Sequence, residues 1–283
     1  MSTTSSNVNG LRSVVAGAVA GCVTRSCTSP LDVLKIWFQV HSGFSLPTVC
    51  RQLYAHEGVR GFWKGNLAGC FRLGPYSGVK FFTFDMLQAS LCRLDKTPSN
   101  VEHAICGAIA GMIATMTVYP MEVVRTRIIV QRASDGPHRI TSILKQIHAV
   151  EGLRGLYRGG LSGLVGSIPF EGVQFACYEY CKSYLHASRE TLHTTDYLGI
   201  GSLSGAVAQT ISYPFDSVKK RLQAQELGQK RYNGMLDCFR KVVAEEGAMA
   251  LFRGTLPNMV RIVPYSAVMF TTYEAAKEFL SAL

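Results

Sequence analysis

Apolar and polar residues alternate along this chain in long blocks. Six blocks, at 11–40, 70–92, 101–131, 163–185, 196–224 and 258–281, are rich in Ala, Val, Leu, Ile and Gly, and each predicts a helix of several turns. Between them lie shorter, more polar segments of amphipathic character. The first block would form a helix about 45 Å long at about 1.5 Å per residue. A bilayer's hydrocarbon core is about 30 Å thick, so such a helix has to tilt or bend. The blocks are not cleanly apolar, because Arg25, Arg72 and Arg261 interrupt three of them.

The first, third and fifth blocks share an odd ending. "SPLDVLKIWFQ" (29–39), "YPMEVVRTRII" (119–129) and "YPFDSVKKRLQ" (213–223) each put a proline, an acid and a base into a helix-forming run. Pro120 minus Pro30 is 90, and Pro214 minus Pro120 is 94. Glycines precede each proline at fixed offsets, as Gly17 and Gly21, Gly107 and Gly111, and Gly201 and Gly205. Three GxxxG motifs in register predict helices that approach closely in a membrane. The later part of each unit repeats as well. "EGVRGFWKG" (57–65), "EGLRGLYRG" (151–159) and "EGAMALFRG" (246–254) correspond, and Pro75, Pro169 and Pro264 coincide, as do Asp85, Glu179 and Glu274. The chain therefore reads as a polar tail, 1–10, followed by three units, 11–100, 101–195 and 196–283. A soluble helical-repeat protein is the competing architecture, but its units run about 20–50 residues and stack in an open array. Three units of this size fit a closed bundle better.

Composition supports a membrane reading. Of 283 residues 47% are hydrophobic and 17% charged, against about 25% charged in ordinary soluble domains. The net charge is +10, but the longest basic run, Lys219-Lys220-Arg221, lies inside a repeated motif. Nucleic-acid binding, which favours basic stripes, is not expected. The segments 40–69, 132–162 and 224–257 hold 13 Lys or Arg, whereas 1–10, 89–100 and 183–195 hold 3. Membrane orientation produces such a bias. The nine cysteines form no CxxC pair, which suits a reducing compartment and offers no metal site. No Ser-His-Asp order and no GxxxxGK[ST] loop is present, so neither an enzyme nor a bound cofactor is expected. The N-terminus resembles neither a signal peptide nor an Arg-rich transit peptide, so the membrane address is expected to be internal.

The repeated Pro-x-acid-x-x-base-x-base motif, followed by acid-Gly, an aromatic, a base and Gly, resembles the mitochondrial carrier family over residues 11 to 281. The resemblance implies an all-α membrane protein. Six transmembrane helices in three pseudo-threefold repeats would surround a central cavity, with three short amphipathic helices on the matrix side. It implies alternating access across the inner mitochondrial membrane by a monomer, with cardiolipin or other lipids at the matrix side. Its matrix gate would pair Asp32 with Arg125, Glu122 with Lys219, and Asp216 with Lys35, braced by Gln39 and Gln223. Ile129 stands at the third brace position, and Trp37 where a second base is the rule. Its cytoplasmic gate would pair Asp85 with Lys182 and Glu179 with Lys277. Glu274 would have only Gln88, which replaces a base and weakens that gate.

A small, asymmetric substrate needs asymmetric contacts, so positions where the copies disagree point to its site. Three residues before Pro75, Pro169 and Pro264 the copies read Arg72, Gly166 and Arg261. In the resembled family these are midplane contacts. Arginine's planar fork suits phosphate, and Arg25 is a third candidate. Gly166 with Ser167 would leave room for a flat ring. Lys80, Glu171 and Gln174 are further candidates, and Glu171 could meet a cationic ring. Several strings, among them "GVQFACYE" and "YPFDSVKKRLQ", look most like thiamine pyrophosphate carriers. The expected substrate is that phosphorylated cofactor, carried by exchange. The alternative is an adenine nucleotide, a deoxynucleotide or coenzyme A on the same scaffold.

Overall fold

The computed structural model describes residues 2–41, 45–92, 100–131, 139–188, 194–226, 228 and 231–281. Parts of the segments used above for the charge count, including 93–99, 132–138 and 189–193, lie outside them. The described residues form nine α-helices and two short 3₁₀ turns, with no strand. Six helices are long: α1 (Ser2–Val40), α3 (Asn66–Cys92), α4 (Asn100–Val130), α6 (Gly160–Ser188), α7 (Thr194–Gln223) and α9 (Thr255–Ser281). Three are short: α2 (Leu46–Glu57), α5 (Ile140–Leu156) and α8 (Met235–Glu246). Each long helix contains one of the aligned prolines. Helix α1 begins earlier than the polar tail suggested, since nothing between Ser2 and Gly10 is a proline that would stop it.

The long helices close a ring in the order α1, α3, α4, α6, α7, α9. The largest interfaces join neighbouring units: α3 with α4, α6 with α7, and α9 with α1. No unit buries its apolar face alone. Helices α1, α4 and α7 also touch one another, as expected where a proline removes a helix hydrogen bond and favours a bend. The apolar clusters sit at this proline end. Val123, Val124 and Ile128 of α4 pack on Ile143 and Ile147 of α5, and Val218 and Leu222 of α7 pack on Cys238 and Val242 of α8. Val33 and Ile36 of α1 pack with Leu53 of α2 and Ile129 of α4.

Two repeated glycines shape the link from each short helix to the next long one. Gly58, Gly152 and Gly247 turn the chain with φ of 64°, 65° and 84°. Gly65, Gly159 and Gly254 follow at 68°, 82° and 90°. L-residues with a Cβ avoid this region. The second set also closes the ring. A Cβ on Gly65 would lie 3.1 Å from the Arg125 carbonyl oxygen, on Gly159 2.9 Å from that of Lys219, and on Gly254 3.0 Å from that of Lys35. Each unit thus touches the backbone of the next, and the third touches the first.

The GxxxG glycines do not act as expected in this conformation. Of the six, Gly21 alone would bring a Cβ within 3.0 Å of a neighbour, Leu73, while Gly17, Gly111, Gly201 and Gly205 face open space. They lie on the side of the proline away from the convergence, where the ring is wider. Large apolar residues such as Phe71, Phe81, Phe82, Ile168, Phe175 and Phe270 remain mostly exposed on the long helices. In water such a surface would aggregate. Among the described residues one helix, over Ile105–Val130, is by itself long and apolar enough to cross a membrane.

Candidate functional site

Below the prolines, α1, α4 and α7 bring their charges together. Arg125 Nη2 donates to Asp32 Oδ2 at 2.8 Å, Lys219 Nζ lies 2.8 Å from Glu122 Oε1, and Lys35 Nζ lies 3.7 Å from Asp216 Oδ2. Each contact crosses a seam between units. An acid two residues past the proline and a base five residues past it lie on one helix face, so three bent helices present three acids and three bases to one centre. Gly69 on α3 and Gly163 on α6 make room for this layer. A Cβ there would lie 3.0 Å from Arg25 Nη1 and 3.2 Å from Lys219 Nζ, respectively. Lys219 and Lys35 also sit over the rings of Tyr119 and Tyr213, at 5.4 and 5.6 Å.

The three seams are unequal. Glu122 also receives Lys220 at 3.0 Å and Arg72 at 3.3 Å. Asp32 also receives Arg261 at 2.6 Å. Among the described residues Asp216 has only the long contact to Lys35 and a 3.1 Å hydrogen bond from Gln209, and its side chain is 41% exposed. Gln223 is wholly buried. Its Oε1 accepts from Thr126 at 2.9 Å and Lys220 at 2.8 Å, and its Nε2 donates to Tyr119 at 2.9 Å. Gln39 is equally buried, but its amide makes no hydrogen bond among the described residues. The brace expected from it is not formed.

Arg72 of α3 and Arg261 of α9 reach onto the acids of this layer. Arg25 is half-buried near Arg72 and Arg125, with its Nε and Nη1 unpaired among the described residues. Seven cations, namely Arg25, Lys35, Arg72, Arg125, Lys219, Lys220 and Arg261, thus meet three carboxylates, Asp32, Glu122 and Asp216. Seven minus three leaves a surplus of four positive charges. Such a surplus at the floor of an open ring calls for an anion.

Other expected site residues fall elsewhere. Gly166 does not open onto free space, since a Cβ there would lie 2.6 Å from Cβ of Phe215 on α7. Its smallness serves helix packing in this conformation and offers no platform for a ring. Ser167 is exposed and donates to the Leu164 carbonyl at 2.7 Å. Lys80 and Glu171 are exposed and Gln174 half-buried, and none makes a hydrogen bond or ion pair among the described residues. At the far end of the ring the pairs Asp85–Lys182 and Glu179–Lys277 are not formed, and Glu274 does not meet Gln88. Gln88 instead faces His103, at 3.4 Å. The proline bends draw the helices together at one end only, and the other stands open.

Lys220 went unnoticed in the sequence because it reads as one of three bases at a helix end. The signal was nonetheless present. Six residues past the proline the copies read Ile36, Thr126 and Lys220, a disagreement of the kind that singled out Arg72 and Arg261.

Comparison with known proteins fits this architecture. A family model described as mitochondrial carrier protein matches residues 6–94, 96–189 and 190–282. A mitochondrial adenine nucleotide transporter of Arabidopsis thaliana is 35% identical, over 95% of this chain and 87% of its own. Solute carrier family 25 member 43 of Danio rerio is 35% identical, over 94% of this chain and 81% of its own. A mitochondrial adenyl nucleotide antiporter of Homo sapiens is 34% identical, over 95% of this chain but 58% of its own.

Proposed function

Because the chain belongs to the mitochondrial carrier family, a family of transporters, and is a multi-pass protein of the mitochondrial inner membrane, we propose that it exchanges an adenine nucleotide across that membrane by alternating access. The observation that carries this reading is the surplus of cations around Arg25, Arg72 and Arg261 at the floor of a ring that is open at its other end. A monocarboxylate would leave most of that charge uncompensated. A nucleotide brings two to four negative charges on oxygens that suit guanidinium forks.

In this reading the six long helices span the membrane, the proline end faces the matrix, and the closed layer of ion pairs is the matrix gate. Asp85, Gln88, Glu179, Lys182, Glu274 and Lys277 form the cytoplasmic gate, open in this conformation. Substrate enters from the open end and competes for Arg72 and Arg261, which are held by Glu122 and Asp32. Freed of those arginines, the acids keep only the contacts between α1, α4 and α7, and the gate loosens. Thiamine pyrophosphate, expected from the sequence, gives way to an adenine nucleotide. The relatives reported above include two named for adenine nucleotides. Cardiolipin is proposed for a matrix-side cavity of about 270 Å³ between the N-termini of α6 and α8, lined by Arg158, Gly160, Asn233 and Gly234.

The test is uptake into liposomes holding the purified protein, with labelled ATP, ADP, AMP, deoxynucleotides, coenzyme A and thiamine pyrophosphate as substrates. Adenine nucleotide uptake should depend on internal nucleotide, and Arg72→Ala or Arg261→Ala should nearly abolish it. Rapid uptake of thiamine pyrophosphate without nucleotide uptake would restore the first expectation. Transport of a monocarboxylate alone would overturn the site.

A further inference from the structure

Three cations meet on the Glu122 carboxylate, where the threefold pattern supplies one. Lys219 is the repeated base, and Arg72 reaches it from the midplane. Lys220 is additional. Its Nζ lies 3.0 Å from Glu122 Oε1, 2.8 Å from Gln223 Oε1 and 3.2 Å from Thr126 Oγ1. The equivalent residues are Ile36, packed in an apolar cluster, and Thr126, fully buried. Neither of the other two seams uses a cation there. A buried ammonium is costly, so its presence at one seam alone points to a use outside the symmetric lock.

We propose that Lys220 is a specificity-determining residue that, together with Arg72, takes the terminal phosphate of the transported anion and so reads the length of its phosphate chain. The inference rests on the carrier reading above. Arg72 holds Oε2 of Glu122 and Lys220 holds Oε1, so a single anionic group already spans the two cations. A terminal phosphate offers three oxygens. It can take both cations while Glu122 keeps Lys219. One ion pair is exchanged for another, and no covalent bond forms or breaks. The seam between α4 and α7 then falls from three cations to one, which couples substrate arrival to loosening of that seam. A single phosphate is satisfied by the arginines near the midplane. A second or third phosphate gains Lys220.

The experiment uses the full-length purified protein and reads ligand affinity from thermal stabilisation and from competition with liposome uptake. The probes are inorganic phosphate, pyrophosphate and tripolyphosphate, beside AMP, ADP and ATP. Lys220→Thr installs the residue of the second unit. It should weaken tripolyphosphate and ATP about tenfold, as expected for loss of one charge-assisted contact. Phosphate and AMP should change by less than about twofold by the same reasoning, since they do not reach Lys220. Lys220→Arg should keep the preference for longer chains, and Lys220→Gln gives the same readout should the threonine variant fail to fold. Equal weakening at every chain length, or none at any, overturns the proposal. A chain-length effect seen equally with and without the nucleoside would support Lys220 and count against the adenine nucleotide assignment instead.

Discussion

Gly159 sits at a φ of 82°, with the Lys219 carbonyl oxygen 2.9 Å from where a Cβ would be. Gly111 is helical and faces open space. Both glycines belong to repeated motifs, so the sequence alone ranks them equally. Gly159→Ala should lower stability by about 1–3 kcal/mol, through backbone strain and the clash with a backbone atom that cannot swing away. Gly111→Ala should be neutral or stabilising by up to about 1 kcal/mol, because alanine is the better helix former. Thermal unfolding of the two variants in detergent compares them directly, and equal melting temperatures would contradict this account. Gly166 shows why such distinctions escape a sequence. The atom that fills its space belongs to Phe215, 49 positions away by number (215 minus 166) and in the next unit. Nothing local to residue 166 reveals that neighbour.

At the scale of helices, Trp37 is the informative exception. In the second unit Arg127 binds Glu151 at 2.7 Å and donates to the Gln223 carbonyl at the end of α7. In the third unit Arg221 grips both oxygens of Glu246 and donates to the Gln39 carbonyl at the end of α1. The first unit has Trp37 at that position, stacked on His41. There Lys64 pairs with Glu57 and donates to the Gln131 carbonyl just past α4, at 2.7 Å. One lysine thus does the work that guanidinium groups do elsewhere. Lys64→Met strips a buried carboxylate of its partner and should cost about 3–5 kcal/mol. Adding Trp37→Arg should recover part of the loss, measured as melting temperature. No recovery would show that the two positions are not interchangeable. The six long helices themselves were legible from aligned prolines and apolar blocks, with ends off by at most four residues except at α1, which starts nine residues before its block. That α1, α4 and α7 meet was legible too, since a proline inside a helix favours a bend. The packing role assigned to the GxxxG motifs was not, because it depends on which end of the ring is drawn together.

Across the whole molecule, the inequality of the seams matters most. Glu122 sits among three cations, whereas Asp216 has one distant lysine. Swapping charges therefore should not succeed equally. Lys35→Asp with Asp216→Lys should restore most of the transport lost in either single variant, because few other charges notice the exchange. Glu122→Lys with Lys219→Glu should restore little, since the new lysine would face Lys220 and Arg72. Initial uptake rates in liposomes, normalised to inserted protein, decide the matter. Full rescue of the second swap would mean that Lys220 and Arg72 do not share the Glu122 carboxylate. The partners were legible only through the resemblance to the mitochondrial carrier family, because a spacing that recurs three times does not by itself say which acid meets which base. The ranking of the seams was not, because it arises from Arg72, Arg261 and Lys220, where the threefold pattern breaks. The ring closure carries a further consequence, for the order of synthesis. Helix α1 is made long before α9, yet its largest interface is with that helix. Its partner surface stays bare until Thr255–Ser281 has emerged, and the Gly254 contact with Lys35 cannot form earlier. Nascent chains of this protein should stay open to protease until α9 is in place, and should then become resistant in a single step.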